Sequence, residues 1–311
     1  MTRSDAAPSR NVRTLLHAVA LTFAMAFLTS CQSTDEPKAA ITSGTVKSED
    51  GLSIAYDTGG AGDQSLVFVH GWCCDRKHWR QAMRDFAGDY RVTAIDLGGH
   101  GESGTDRDNW TIEGLGGDVE AVVRELDLRN VILVGHSLGG TVSLIAARRL
   151  PDRVIGVVGV DCLHDVSAPF RKEEIEGAIA GFRGDFAKSM EISVTTMMDD
   201  GVDPGVREWV IERAKRSNQD AVLAIFGDAP NLTLSELMRD AGVPVRCINA
   251  AARPPVGPST DTRGNQRFGD YDVLILEHVG HYPMLEAPDR FEAALEVILR
   301  EWKKKPEPEA P

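Results

Sequence analysis

The chain has 311 residues, 42% of them hydrophobic and 26% charged, with a formal charge of -13. That length fits one large α/β domain carrying an insertion, or two small domains. The acidic balance argues against a nucleic-acid partner and against electrostatic attraction to anionic lipid, and fits a solvated acidic surface.

Arg3, Arg10 and Arg13 flank the start of an apolar run, Leu15 to Leu28, that is short for a membrane span. Leu28-Thr29-Ser30-Cys31 closes it. This pattern resembles a bacterial lipobox. The resemblance implies a signal peptide over residues 1–30, cleavage before Cys31, and lipidation of that cysteine; an ordinary signal peptide or an uncleaved anchor are the alternatives. A cysteine carrying several acyl chains would hold the protein at a membrane of the cell envelope, on the periplasmic face. Gln32, where an Asp would resemble an inner-membrane signal, resembles outer-membrane sorting. Residues 31–43, polar with Pro37, read as a flexible tether.

Thr45 to Tyr56 alternates around Asp50-Gly51, a hairpin signal. Ser65 to His70 is a short buried-strand run, and a helix carrying His78, Trp79, Met83 and Phe86 follows. Arg91 to Asp96 is the next strand. Thr111 to Leu126 reads as helix, with Val119, Val122, Val123 and Leu126 at helical spacing. Strands at 131–135 and 154–160 bracket another helix that ends before Pro151. From 164 to 240 no buried-strand run occurs. Val206, Trp209, Val210 and Arg213 recur at helical spacing, with breaks at Pro169, Pro204 and Pro230, so the segment is expected to be an inserted helical cap. Strands resume at 244–249 and 272–276, a closing helix spans Pro288 to Trp302, and 303–311 is charged, Pro-rich and expected to be disordered. Strands apolar on both faces, alternating with helices, predict an α/β fold with a mostly parallel sheet, its core being residues 44–163 and 241–302. Such sheets bind ligands beyond the carboxyl ends of their strands.

Polar motifs stand at those ends. In Gly135-His136-Ser137-Leu138-Gly139 a serine sits at the apex of a strand–turn–helix, where small flanking residues let the two backbones pass closely. A serine hydroxyl needs a base to become a nucleophile. His281, after the last strand and preceded by Gly280, is the candidate; His278 is its rival. His70-Gly71-Trp72 follows the first buried strand. The backbone N–H groups of Trp72 and Leu138 are candidate donors to an oxyanion. Asp96-Leu97-Gly98-Gly99-His100-Gly101-Glu102-Ser103 reads as a loop organised by Asp96 and His100. Of the remaining cysteines, one of Cys73 and Cys74 could bond Cys162, but small buried thiols, Cys247 included, are the plainer reading. No spacing resembles a zinc site, and no metal or organic cofactor is implied.

Taken together, His-Gly-Trp, the Asp-x-x-Gly-Gly-His-Gly-x-Ser loop, Gly-His-Ser-Leu-Gly-Gly and Gly-His-Tyr-Pro, in this order and spacing, resemble the α/β-hydrolase fold superfamily over about residues 44–302. The resemblance implies an eight-stranded sheet, a helical lid after the sixth strand, Ser137 as nucleophile and His281 as base. It also implies an acid after the seventh strand, where this chain has Asn249-Ala250-Ala251-Ala252-Arg253 and no carboxylate. Asp161, at the end of the sixth strand, is the preferred acid, as in some superfamily members; Asp165, Asp261, Asp270 or no working acid remain open. The expected function is a serine hydrolase acting on an ester or related acyl bond of a small or medium acyl substrate. A cofactor-free perhydrolase, a carbon–carbon bond hydrolase, or a lipid-anchored binding protein are the alternatives. Met197, Met198, Trp209 and Phe226 are candidates for an apolar acyl pocket or for packing between cap helices.

Overall fold

The computed structural model describes residues 40–252 and 259–303. The expected signal peptide, Cys31 with its expected lipidation, most of the expected tether and nearly all of the charged tail lie outside these residues. Among the described residues no helix is long and apolar enough to cross a membrane.

Eight strands form one sheet: β1 (Thr42–Lys47), β2 (Ser53–Gly59), β3 (Ser65–Val69), β4 (Arg91–Ile95), β5 (Val131–His136), β6 (Val154–Val160), β7 (Val245–Ala250) and β8 (Tyr271–Leu276). Their spatial order is β1-β2-β4-β3-β5-β6-β7-β8. β2 runs antiparallel to both its neighbours, and β3 through β8 are mutually parallel. β1 begins at Thr42, so the last two residues of the expected tether already pair with β2.

The apolar runs of β3 and β5 are buried on both faces, and their period of two divides them between two cores. Val67, Val69, Val131 and Leu133 pack in one core, while Leu66, Phe68, Ile132 and Val134 pack in the other. Each such side chain contributes roughly 1.5–3 kcal/mol when fully buried. On the first face, α2 (Ile112–Glu125) packs against α3 (Leu138–Arg149). Thr111 caps α2, its hydroxyl accepting the Gly114 N–H at 3.0 Å. The second face carries α1 (Arg80–Phe86), preceded by a 3-10 turn at Arg76–Trp79, and the closing α11 (Pro288–Trp302). The apolar stripe of α11, Phe291, Leu295, Ile298 and Leu299, is buried there.

Between β6 and β7 the chain is helical: α4 (Lys172–Gly184), α5 (Phe186–Met197), α6 (Pro204–Lys215), α7 (Gln219–Asp228) and α8 (Leu234–Asp240). Short polar side chains start three of them. Asp185, Asp203 and Asn218 accept backbone N–H groups of the first turns of α5, α6 and α7. The last helix, α8, packs on α3 beside the sheet. Two short helices, α9 (Thr262–Asn265) and α10 (Pro283–Glu286), follow β7 and β8.

Candidate active site

β5 ends in the turn that the sequence singled out. Ser137 adopts φ 51° and ψ -119°, a region that costs a side-chain-bearing residue and persists where the surroundings enforce it. The enforcement is steric and hydrogen-bonded. A Cβ on Gly135 would strike the Gly139 carbonyl, and one on Gly139 would strike the Val69 carbonyl of β3. The Ser137 N–H donates to Val160 O at 3.0 Å, which fastens the turn to the end of β6.

Asp161 follows β6 and also has a positive φ, 44°. Its N–H donates to Ile248 O of β7 at 2.9 Å, and its Oδ1 accepts the Ala250 N–H at 2.9 Å. Its Oδ2 stands 2.6 Å from His281 Nδ1. Burial alone would raise this carboxyl, but the hydrogen bond and charge of His281, then His164 and the Ala250 N–H, hold it below the usual carboxylate range. An aspartate kept ionised beside Nδ1 favours the tautomer with its proton on Nδ1 and a lone pair on Nε2.

His281 is placed by its backbone. Its N–H donates to Met197 O at the end of α5 (2.9 Å), and its carbonyl accepts from His136 Nε2 at 2.7 Å. Burial pushes the His136 imidazole well below its ordinary range, so it stands there neutral, with its proton on the donating Nε2. Glu286 of α10 gathers the same loop: its carboxylate accepts the N–H groups of Asp199 (2.8 Å), Gly280 (2.9 Å) and Tyr282 (2.8 Å). The rival His278 is exposed.

The loop after β3 supplies the two candidate donors with their frame. Among the described residues neither the Trp72 N–H nor the Leu138 N–H has a partner. The Trp72 indole N–H donates to Val222 O at 2.7 Å, and its ring lies 5.0 Å from Phe182 and 5.1 Å from Phe226, which ties this loop to α4 and α7. His70 accepts the Leu97 N–H on Nε2 at 3.0 Å and bonds Gly71 O through Nδ1 at 2.8 Å, so it joins this loop to the one after β4. There Asp96 accepts the N–H groups of Arg76 and Glu102, both at 2.7 Å, and pairs with the Arg76 guanidinium. Asp96 and His100 are buried loop organisers, as read from the sequence.

Ser137, Asp161 and His281 line one cavity of about 780 Å³, together with Trp72 and Leu138. The rest of the wall is largely apolar, with Leu163, Met190, Met197, Ile225, Phe226 and Val279. Met198 and Trp209 are not part of that wall; they pack in the core on the second face. The other candidate acids are bonded to other groups, although Asp165 also lines the cavity. Asp261 caps α9 through the Gly264 N–H (2.8 Å), Asp270 pairs with Arg246 (3.0 Å), and Asp165 bonds Ser167. Cys73, Cys74, Cys162 and Cys247 are free buried thiols. Among the described residues no group of three or more His, Cys, Asp or Glu side chains could hold a metal ion.

Sequence reasoning passed over Glu286, His164 and Asn249. Asn249 is wholly buried at the end of β7, next to where the resemblance placed an acid, and it pairs with both the N–H (3.2 Å) and the carbonyl (3.0 Å) of Cys162. A buried amide at a strand end was the available signal.

Comparison with known proteins agrees with this architecture. The dihydrolipoyllysine-residue acetyltransferase component of an acetoin cleaving system from Pseudomonas putida is 26% identical over 262 residues, 79% of this chain and 66% of that protein. A pimeloyl-[acyl-carrier protein] methyl ester esterase from Nitrosospira multiformis is 25% identical over 257 residues, 77% of this chain and 95% of the relative. The structure of a thermophilic esterase from Thermogutta terrifontis superposes with a TM-score of 0.72 at 20% identity, covering 85% of this chain and 100% of that one. The model of the alpha/beta hydrolase family matches residues 66–294, from β3 into α11, and this chain belongs to that family.

Proposed function

We propose that the protein is a serine carboxylic-ester hydrolase in which Ser137 is the nucleophile, His281 the base and Asp161 the acid. The observation that carries this reading is the 2.6 Å contact between His281 Nδ1 and Asp161 Oδ2, made at the wall of the cavity that Ser137 also lines. Ser137 Oγ attacks the acyl carbon while its proton passes to His281 Nε2. Asp161 orients the ring and stabilises the imidazolium. The carbonyl oxygen becomes an oxyanion held by the Trp72 and Leu138 N–H groups. Collapse breaks the ester C–O bond, and the departing alkoxide takes the proton from His281. Water then attacks the acyl-enzyme with its proton drawn to His281, and the carboxylic acid leaves as Ser137 regains its hydrogen.

The largely apolar wall favours a small or medium apolar acyl group over a charged one. With the lipobox-like Leu28 to Cys31, the reading places the enzyme on the periplasmic face of a cell-envelope membrane, held by a lipidated Cys31. A fluorophosphonate probe is expected to label the wild type and not Ser137→Ala. Asp161→Asn is expected to lower kcat on short p-nitrophenyl esters by up to about 10⁴-fold. No labelling and no ester hydrolysis by the wild type would overturn the enzyme reading. A mature N-terminus other than an acylated Cys31 would overturn the anchor.

A further inference from the structure

Resting on this triad reading, we propose that His164 is the positioning residue of the Asp161 carboxylate, holding the oxygen that His281 does not use. Two histidines flank that carboxylate: His281 Nδ1 at 2.6 Å from Oδ2, and His164 Nε2 at 3.6 Å from Oδ1.

The tautomer of His164 follows from its neighbours. Asn249 is oriented by Cys162, whose N–H it accepts on Oδ1 and whose carbonyl it donates to from Nδ2. The same Nδ2 donates to Thr260 Oγ1 at 2.9 Å. With its oxygen accepting there, the Thr260 hydroxyl is free to donate to His164 Nδ1, 3.1 Å away, and Asn249 Nδ2 lies 3.3 Å from the same nitrogen. With Nδ1 accepting there, the proton of a neutral ring sits on Nε2, the atom nearest Asp161, which faces the carboxylate with an N–H and not with a lone pair. Burial lowers the His164 pKa, which keeps the ring neutral.

The backbone of His164 is fixed as well. Its carbonyl accepts the Asp261 N–H at 2.8 Å and Asn265 Nδ2 at 3.2 Å. At 3.6 Å the Nε2–H acts on Oδ1 electrostatically, and contacts of this kind tighten when charge develops on the neighbouring base. The consequence is rotational. The Ala250 N–H and His281 give each oxygen one hydrogen bond, and the field of the His164 Nε2–H on Oδ1 biases the carboxylate toward the plane that presents Oδ2 to His281. An acid carried on β6, on a backbone with positive φ, thus draws its alignment from the end of β7 through Asn249, Thr260 and His164.

The test uses the purified full chain, p-nitrophenyl esters and two substitutions. His164→Asn keeps a polar group on the Thr260 side and loses the Nε2 donor. His164→Gln returns an amide N–H near the Nε2 position. His164→Asn is expected to lower kcat roughly 10- to 100-fold, the scale of a 1 Å misplacement of a catalytic group, with KM nearly unchanged. His164→Gln is expected to recover most of that loss. Wild-type kcat in His164→Asn, or equal losses in both variants, overturns the proposal. Should either variant misfold, ¹⁵N-histidine NMR of the wild type decides, because a His164 ring protonated on Nδ1 overturns it. Asp161→Asn separates the two readings. A loss there without a loss in His164→Asn defeats this inference alone, and wild-type activity in Asp161→Asn defeats the triad and the inference together.

Discussion

Acidification from pH 7.5 to 5.5 is expected to destabilise the fold through histidines that it buries neutral. Burial pushes His70 down to about 4 and His100 down to about 3, from an ordinary value of 6.5, and drives His136 well below that value. The sign follows from proton counting. Below pH 6.5 the unfolded chain takes up a proton at each of these rings while the folded chain does not, so stability falls as pH falls. His70, His100 and His136 each cost about 1.4 kcal/mol at pH 5.5, about 4 kcal/mol together, a large part of a typical 5–15 kcal/mol stability, and His164, also lowered by burial, adds in the same direction. Some groups work the other way. Glu292, half-buried and raised to about 7 by burial and by Asp85, binds its proton in the folded state within this window and offsets part of the loss, discounted for solvent screening. Asp96 and Asp118, raised by burial, act with the same sign toward the acid end. Asp50 and Asp161, held low, contribute stability that is present throughout this window and is lost only as pH falls below the unfolded carboxylate value of 3.8. His78 is pushed up to about 10 by Cys74 and Asp75 against its burial, and its contribution is lost only as pH rises from 6.5 toward that value.

With the opposing His78 and Glu292 counted, the net expectation is a fall of roughly 1 to 3 kcal/mol in urea-unfolding free energy between pH 7.5 and 5.5, read as a shift of midpoint at constant m. His100→Asn keeps a donor for the Gly98 carbonyl, removes a buried Nε2 that has no partner, and deletes one of the three proton sites. It should remove about 1.4 kcal/mol of the loss on acidification. A stability that stays flat from pH 7.5 to 5.5, or a slope unchanged in His100→Asn, refutes the argument that these rings are held neutral by burial.

Glu286→Ala removes the common acceptor of three N–H groups around His281; at about 1 kcal/mol each it should lose about 3 kcal/mol in thermal or urea unfolding and lower kcat, and an unchanged kcat would show that the loop does not need it. Gly140→Ala drives a Cβ into Cys162 Sγ and should cost about 1–3 kcal/mol, a loss that Gly140→Ala combined with Cys162→Ala should partly recover in unfolding measurements. The four described thiols should resist a thiol-reactive dye in native protein and react on unfolding, since all are buried and Cys73 and Cys162 are pushed well above the ordinary thiol range. Rapid native labelling at any of the four would contradict that.

What could be read along the chain was what short-range pattern encodes. β6 spans the same Val154–Val160 that the apolar run marked, and the closing helix has the same ends, because an unbroken run bounded by turns leaves little choice of register. The serine turn was legible for the same reason, since the glycines at 135 and 139 stand where any side chain would strike backbone. The helices between β6 and β7 were legible as helices, but not the packing of α8 on α3, which depends on where the returning chain meets the sheet. His164, Asn249 and Glu286 were missed because their partners are set by tertiary structure. Asn249 reaches Cys162 across 87 residues, and Glu286 reaches Asp199 across the same separation. No local periodicity marks such contacts.

The position of Asp161, the proposed acid, has a geometric logic in the strand order. β6 lies between β5 and β7, so the ends of β5 and β6 are adjacent and Ser137 can be tied to Val160 and Asp161 to Ile248 by single backbone hydrogen bonds. His281 arrives from beyond β8, two strands away from β6, and must pass over the end of β7 to meet Asp161. The end of β7 is built to be crossed. Ala250 and Ala251 line the cavity with methyl groups only, and Asn249 is buried away from it, bonded to Cys162. A β7 that carried the acid would need no such clearance. On the proposed triad, the absence of a carboxylate at the end of β7 and the presence of Asp161 after β6 are two parts of one arrangement, in which β7 supplies the passage and the Ala250 N–H while Asp161 supplies the charge.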